Sequence, residues 1–158
     1  MPDISVGSTA PDLNVQASNG KNISLKDFRG KKNVVLYFYP KDDTPGCTVE
    51  ACGFRDGIKS LENADAVVLG VSPDSVKSHL KFIEKFNLPF ILLADEDKKI
   101  CQAYGVWVEK SMYGRKYMGV ARTTFVINKE GQIAKIFEKV KPEDHEKEVL
   151  ECIKQIGA

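Results

Sequence analysis

Asn33-Val34-Val35-Leu36-Tyr37-Phe38-Tyr39, followed directly by Pro40-Lys41-Asp42-Asp43-Thr44-Pro45-Gly46-Cys47, is the stretch that decides the fold. Its first part is an almost unbroken run of β-branched, aliphatic and aromatic residues. A run of this kind, as opposed to an alternating one, is what a central strand covered on both faces requires. Pro40 cannot extend a hydrogen-bonded ladder and ends the strand. Lys41 to Gly46 is rich in turn formers. Beyond them the spacing predicts a helix that starts around Cys47 or Thr48 and carries Phe54, Ile58 and Leu61 on one face. A buried strand, a short loop and a helix are the opening of a βαβ unit.

The rest of the chain extends this pattern. Ala66-Val67-Val68-Leu69-Gly70-Val71-Ser72 reads as a second buried strand. Ser75 to Phe86 reads as an amphipathic helix with Val76, Leu80, Ile83 and Phe86 inward. Phe90 to Ala94 is a third strand and Asp97 to Tyr104 a short helix. Thr123 to Ile127 and Ile133 to Phe137 are strands joined by Asn128-Lys129-Glu130-Gly131. Pro142 to Ile156 closes the chain as a helix with Val149, Ile153 and Ile156 inward. Upstream, Leu13 to Ala17 alternates apolar and polar, Ser18 to Lys21 turns, and Ile23 to Leu25 returns, giving an N-terminal β-hairpin extension. Asp27-Phe28-Arg29-Gly30 is a short helical turn. The early alternation demands parallel units with right-handed crossovers, and the late hairpin adds an antiparallel edge. The fold class is α/β, with a mixed central sheet flanked by helices on both faces.

At 158 residues the chain has the length of one domain, 1–158. Its 42% hydrophobic content supplies a core that needs no disulfide staples. Lys and Arg total 23 against 22 Asp and Glu, a net charge of +1, which argues against a nucleic-acid partner. Met1-Pro2-Asp3-Ile4-Ser5 has neither a basic nor an apolar region of a secretory signal. No stretch approaches the roughly 18 apolar residues of a membrane span. The expectation is a cytoplasmic protein with no membrane partner, an organellar form with its transit peptide removed being the alternative.

Cys47 sits where this architecture gathers functional groups, at the carboxyl end of a central strand and the start of a helix. Free backbone N–H groups and the positive end of the helix dipole favour an anion there, and for a cysteine that anion is the nucleophilic thiolate. Thr44 is three residues upstream, where its hydroxyl can reach the sulfur across a turn and donate to it or to a substrate oxygen. Pro40 and Pro45 stiffen the loop.

These residues carry a resemblance. Pro40-x-x-x-Thr44-x-x-Cys47 resembles the active-site signature of peroxiredoxins. Cys47-Thr48-x-Glu50, with Cys52 five residues after Cys47, resembles the subgroup called peroxiredoxin Q or bacterioferritin comigratory protein. Gly7-Ser8-Thr9-Ala10-Pro11-Asp12-Leu13, Leu25-x-Asp27-Phe28-Arg29-Gly30-Lys31 and Arg122-Thr123-Thr124-Phe125-Val126-Ile127 resemble further blocks of that family, in order along nearly the whole chain. The resemblance implies a thioredoxin-like fold and a thiol-dependent peroxidase that reduces hydrogen peroxide and organic hydroperoxides in antioxidant defence. It implies that Cys47 attacks the peroxide and becomes a sulfenic acid, and that Cys52 resolves it as a Cys47–Cys52 disulfide. Thr44 and Arg122 would hold the peroxide, Pro40 would shield the sulfenic acid, and Glu50 would pair with an arginine. Thioredoxin or a similar dithiol would recycle the enzyme. A monomer with no cofactor and no resident metal is expected.

Cys101 and Cys152 lie in apolar helical patterns and read as inert core cysteines, Cys101 standing in reserve as a resolving residue. A zinc site lacks a second cysteine pair, and His79 and His145 are isolated in charged contexts that suggest solvated surface residues. Glu143 to Glu148 reads as the first turns of a solvated helix. Met112-Tyr113-Gly114-Arg115-Lys116-Tyr117-Met118 reads as a mobile loop near the site, suited to a hydrophobic peroxide or a partner. A plain thiol–disulfide oxidoreductase would use Cys-x-x-Cys, whereas four residues separate Cys47 from Cys52. A redox-regulated binding or chaperone module is the reading from another class.

Overall fold

The structure, a computed structural model, describes residues 4–156. Met1-Pro2-Asp3, on which part of the reading of the chain start rests, lies outside them. In chain order the elements are β1 (Asn14–Gln16), β2 (Asn22–Ser24), a 3-10 turn (Leu25–Asp27), β3 (Asn33–Phe38), α1 (Pro45–Asp56), α2 (Ile58–Asn63), β4 (Ala66–Ser72), α3 (Val76–Phe86), β5 (Ile91–Ala94), α4 (Lys99–Ala103), β6 (Trp107–Met112), β7 (Arg115–Val120), β8 (Thr123–Ile127), β9 (Ile133–Phe137) and α5 (His145–Ile156).

The central sheet has the order β5-β4-β3-β8-β9. β3 runs parallel to β4, and β4 parallel to β5, while β8 is antiparallel to both β3 and β9. Every residue of β3 is buried, as its unbroken apolar run requires. Its side chains alternate between two cores. Val34, Leu36 and Phe38 face a core shared with α4, the N-terminal hairpin and Val120 of β7. Val35 and Tyr37, followed by Tyr39, face a core shared with Cys47, Ala51 and Phe54 of α1, Leu61 of α2, Phe82 of α3, and Val149 and Ile153 of α5. The crossovers β3–α1/α2–β4 and β4–α3–β5 step in the same direction, so their helices share one face. Helices on both sides of a mixed sheet make this a thioredoxin-like α/β fold.

Several local expectations are corrected. α1 begins at Pro45, not at Cys47 or Thr48, because Thr44 takes the N-cap position and proline suits the first helical residue. Gly57 divides the expected single helix into α1 and α2. α3 packs Ile83 and Phe86 against the core as expected but turns Leu80 outward. Leu80 is 48% exposed, whereas His79 and Phe82 are buried, because His79 finds hydrogen-bond partners in the interior. α5 starts at His145, three residues late, since Asp144 is left-handed at φ +61° and interrupts helical geometry. His145 is buried against Phe54 and Phe137, not solvated. Its Nε2 lies 2.8 Å from Thr124 Oγ1, and burial lowers its pKa despite Glu148 alongside. The stretch 112–118 is not a loop but the outer part of the β6–β7 hairpin, closed by Tyr113 and Gly114, both at positive φ.

Candidate active site

The sheet order explains how distant residues meet. Phe38, at the carboxyl end of β3, pairs with Thr123, the first residue of β8. Arg122 therefore lies beside the loop that leads from β3 into α1. Cys47 is the third residue of α1 and is 1% exposed. The first intrahelical bond, Thr48 N–H to Thr44 O, comes one residue later, so the Cys47 N–H is among the free donors of the first turn.

Arg122 bridges a sulfur and a carboxylate. Its Nη2 donates to Cys47 Sγ at 3.4 Å and its Nη1 to Glu50 Oε1 at 2.8 Å. The rigid fork of a guanidinium makes this double contact possible. Gly46 leaves the room: a Cβ there would stand 3.2 Å from Nη2. Burial works against the charge of Arg122, but Glu50 and Cys47 outweigh it and hold its pKa up. Glu50 is buried, and its Oε2 has no hydrogen-bond partner among the described residues. Burial raises its carboxyl to about 7, although Arg122 opposes the rise. Tyr37 Oη is likewise buried and unpartnered; burial, then the charges of Glu50 and Cys47, push its pKa far up.

The expected residues are brought together unequally. Cys47, Arg122 and Glu50 are in contact. Thr44 is the N-cap of the same helix, but its hydroxyl donates to Lys41 O at 2.9 Å, so its one proton is not directed at the sulfur. Its lone pairs remain open to a substrate's O–H. Pro40 is half-buried at the start of the loop. Cys52 lies on α1 with Cys47, half-buried, and all four cysteines are free thiols. Cys101 is buried in the core, and burial followed by Asp95 pushes its thiol far up. Cys152 is also raised, by burial. Sequence reasoning missed Lys110 of β6. Its stem passes 3.2 Å from where a Gly119 Cβ would be, and burial and the charge of Arg122 lower its pKa while Cys47 opposes them. Alternation along the hairpin, had it been recognised, was the signal available.

A thiol at a helix start, gripped by an arginine on a thioredoxin-like sheet, defines the class: a thiol-based redox enzyme. Comparison with known proteins narrows it. A model of the AhpC/TSA family matches residues 6–136. Peroxiredoxin Bcp of Bacillus subtilis (strain 168) is 50% identical over 154 residues, covering 98% of each chain. A mutant of Xylella fastidiosa PrxQ superposes with a TM-score of 0.93 at 35% identity over 100% of both chains. Xanthomonas campestris bacterioferritin comigratory protein, solved to explain its alkyl peroxide reduction activity, gives a TM-score of 0.90 at 37% identity over 100% of both chains. The chain belongs to the AhpC/TSA family and, within it, to the peroxiredoxin Bcp/Q group of antioxidant thiol peroxidases.

Proposed function

We propose that Cys47 is the attacking thiolate, on the strength of one observation above all: Arg122 Nη2 stands 3.4 Å from its sulfur while Glu50 holds the other arm of the guanidinium. The sulfur attacks the outer oxygen of a hydroperoxide. An S–O bond forms, the O–O bond breaks, and the departing hydroxide or alkoxide takes up a proton. Arg122 stabilises the charge that grows on the departing oxygen, and Thr44 accepts a hydrogen bond from the peroxide O–H. Pro40 limits solvent access to the sulfenic acid. The Cys52 thiol then attacks the sulfenic sulfur: the S–S bond forms, the S–OH bond breaks, and the Cys52 proton leaves with the hydroxyl as water, giving a Cys47–Cys52 disulfide. A thioredoxin-type dithiol reduces it by exchange, and two thiols are regenerated.

The substrates are hydrogen peroxide and organic hydroperoxides, the latter supported by the alkyl peroxide reduction activity of the Xanthomonas relative. The chain acts as one domain, as a monomer, in the cytoplasm. No helix among the described residues is long and apolar enough to cross a membrane. A peroxide-consumption assay with thioredoxin and its reductase tests the reading. Steady turnover supports it. Exchange of small disulfides without peroxide consumption would point to a plain oxidoreductase, and neither activity to a binding module.

A further inference from the structure

The loop between β3 and α1 is tied into the interior at Asp42 by a network that includes neither Cys47 nor Arg122. The Asp42 carboxylate accepts from Tyr39 Oη at 2.6 Å and from Ser78 Oγ at 2.8 Å, and its Oδ2 lies 2.8 Å from His79 Nδ1. Its backbone N–H donates to Asp74 Oδ2 at 2.8 Å, and that oxygen also takes the Ser72 hydroxyl at 2.6 Å. His79 Nε2 lies 2.9 Å from Leu93 O. A carbonyl oxygen only accepts, so Nε2 carries a hydrogen. Asp42 is 7% exposed and His79 is fully buried. The ends of β3, β4 and β5 and the first turn of α3 thus converge on a single loop residue. Asp42, Asp74 and His79 bring metal-ligating atoms within 4.8 Å of one another, but both Asp42 oxygens and both His79 nitrogens are already engaged in hydrogen bonds. The cluster is a clamp.

Its place in the chain gives it a function. Lys41, which supplies the carbonyl that holds the Thr44 hydroxyl, is the residue before Asp42. Asp43, the residue after it, is left-handed at φ +59°, with its carboxylate on Lys85 at 2.8 Å. Thr44 then caps α1. The position of Thr44 is set from Asp42. So is the fixed end from which α1 would unwind to let Cys47 meet Cys52.

We propose that Asp42, held by His79, Tyr39 and Ser78, is a positioning residue of the peroxidase reaction, fixing Thr44 for the attack and anchoring the end of α1 that stays in place during resolution. This rests on Cys47 being the attacking residue. Displacing a positioning group by about 1 Å costs on the order of 100-fold in rate, whereas a loosened anchor eases the unwinding. The two steps therefore move in opposite directions, a signature that general loss of stability does not give.

The test follows Trp107 fluorescence after rapid mixing with hydrogen peroxide, with quenched samples to separate oxidation of Cys47 from disulfide formation. Asp42→Asn is expected to slow oxidation by about 10- to 100-fold and Tyr39→Phe, which removes one donor, by about 5-fold. Disulfide formation should be faster in both, and an unchanged rate would overturn the anchoring role. Should Asp42→Asn not fold, Tyr39→Phe and Ser78→Ala, which keep the carboxylate, carry the test. Oxidation at the parent rate in folded variants, or both steps slowed by one factor, overturns the proposal. A parent protein lacking any peroxide-dependent phase that Cys47→Ser abolishes would instead overturn the function on which it rests.

Discussion

Glu50→Gln makes the buried carboxylate at the site measurable. Glu50 has one partner, Arg122, at 2.8 Å, and burial raises its carboxyl from an ordinary 4.5 to about 7. The folded protein therefore holds a proton that the unfolded chain releases between those two values. With more protons bound to the folded state, stability falls as pH rises across that interval. The contribution is complete below about 4.5 and is lost as pH rises through about 7. At about 1.4 kcal/mol per pH unit, the displacement corresponds to about 3 kcal/mol. Glutamine keeps the shape and a carbonyl for Arg122 Nη1 but cannot ionise. The variant should gain stability over the parent as pH rises from about 5 to about 8, up to that bound. Its own buried amide subtracts a constant from the gain. Urea unfolding of both reduced proteins at several pH values gives the difference curve, in which the other acids cancel. The variant should also oxidise more slowly, because Arg122 has lost the charge that holds it. Parallel stability curves across the range would refute the reasoning.

Cys47→Ser should abolish peroxide turnover while circular dichroism shows the fold retained; substantial residual turnover would remove Cys47 from its role. Arg122→Met should slow oxidation of Cys47 on the order of 100-fold, in line with loss of one donor to developing charge, as read by rapid-mixing fluorescence of Trp107. Unwinding is expected from helix geometry: residues five apart on a regular helix have Cα atoms roughly 8.6 Å apart, and a disulfide tolerates no more than about 7 Å. Hydrogen exchange should thus show residues 47 to 54, beyond the anchored Thr44 cap, protected in the reduced protein and open in the oxidised one; equal protection with a mapped Cys47–Cys52 bond would contradict this.

How much of this was legible in the sequence depended on how local each determinant is. β3 was readable because a strand buried on both faces shows as an unbroken apolar run, and β8 matches its expected limits for the same reason; β9, an edge strand with only Ile133 buried, was marked by the Asn128–Gly131 turn before it. Cys47 was readable from the loop and helix start around it. Arg122 was assigned only through the family resemblance, since its meeting with Cys47 depends on β8 pairing with β3. The burial of Glu50 was hidden because a helix start read at Cys47 or Thr48 puts the acid in the first turn, where it reads as a solvated partner of the helix dipole; the helix starts at Pro45 and carries Glu50 a turn deeper. His79 was misread as a surface residue because the carboxylate beside it lies 37 positions away in the chain. The β6–β7 hairpin was missed because its turn is Tyr113-Gly114, with no Asn-Gly or Asp-Gly to announce it.

The account stands most directly on one experiment: reduced protein treated with one equivalent of hydrogen peroxide, then digested and mapped by mass spectrometry under non-reducing conditions. It predicts the loss of two thiols, a single cross-linked peptide joining Cys47 to Cys52, and its disappearance on adding thioredoxin and its reductase. Peroxide consumed with Cys47 unmodified, or Cys47 joined to Cys101 or Cys152, would contradict it.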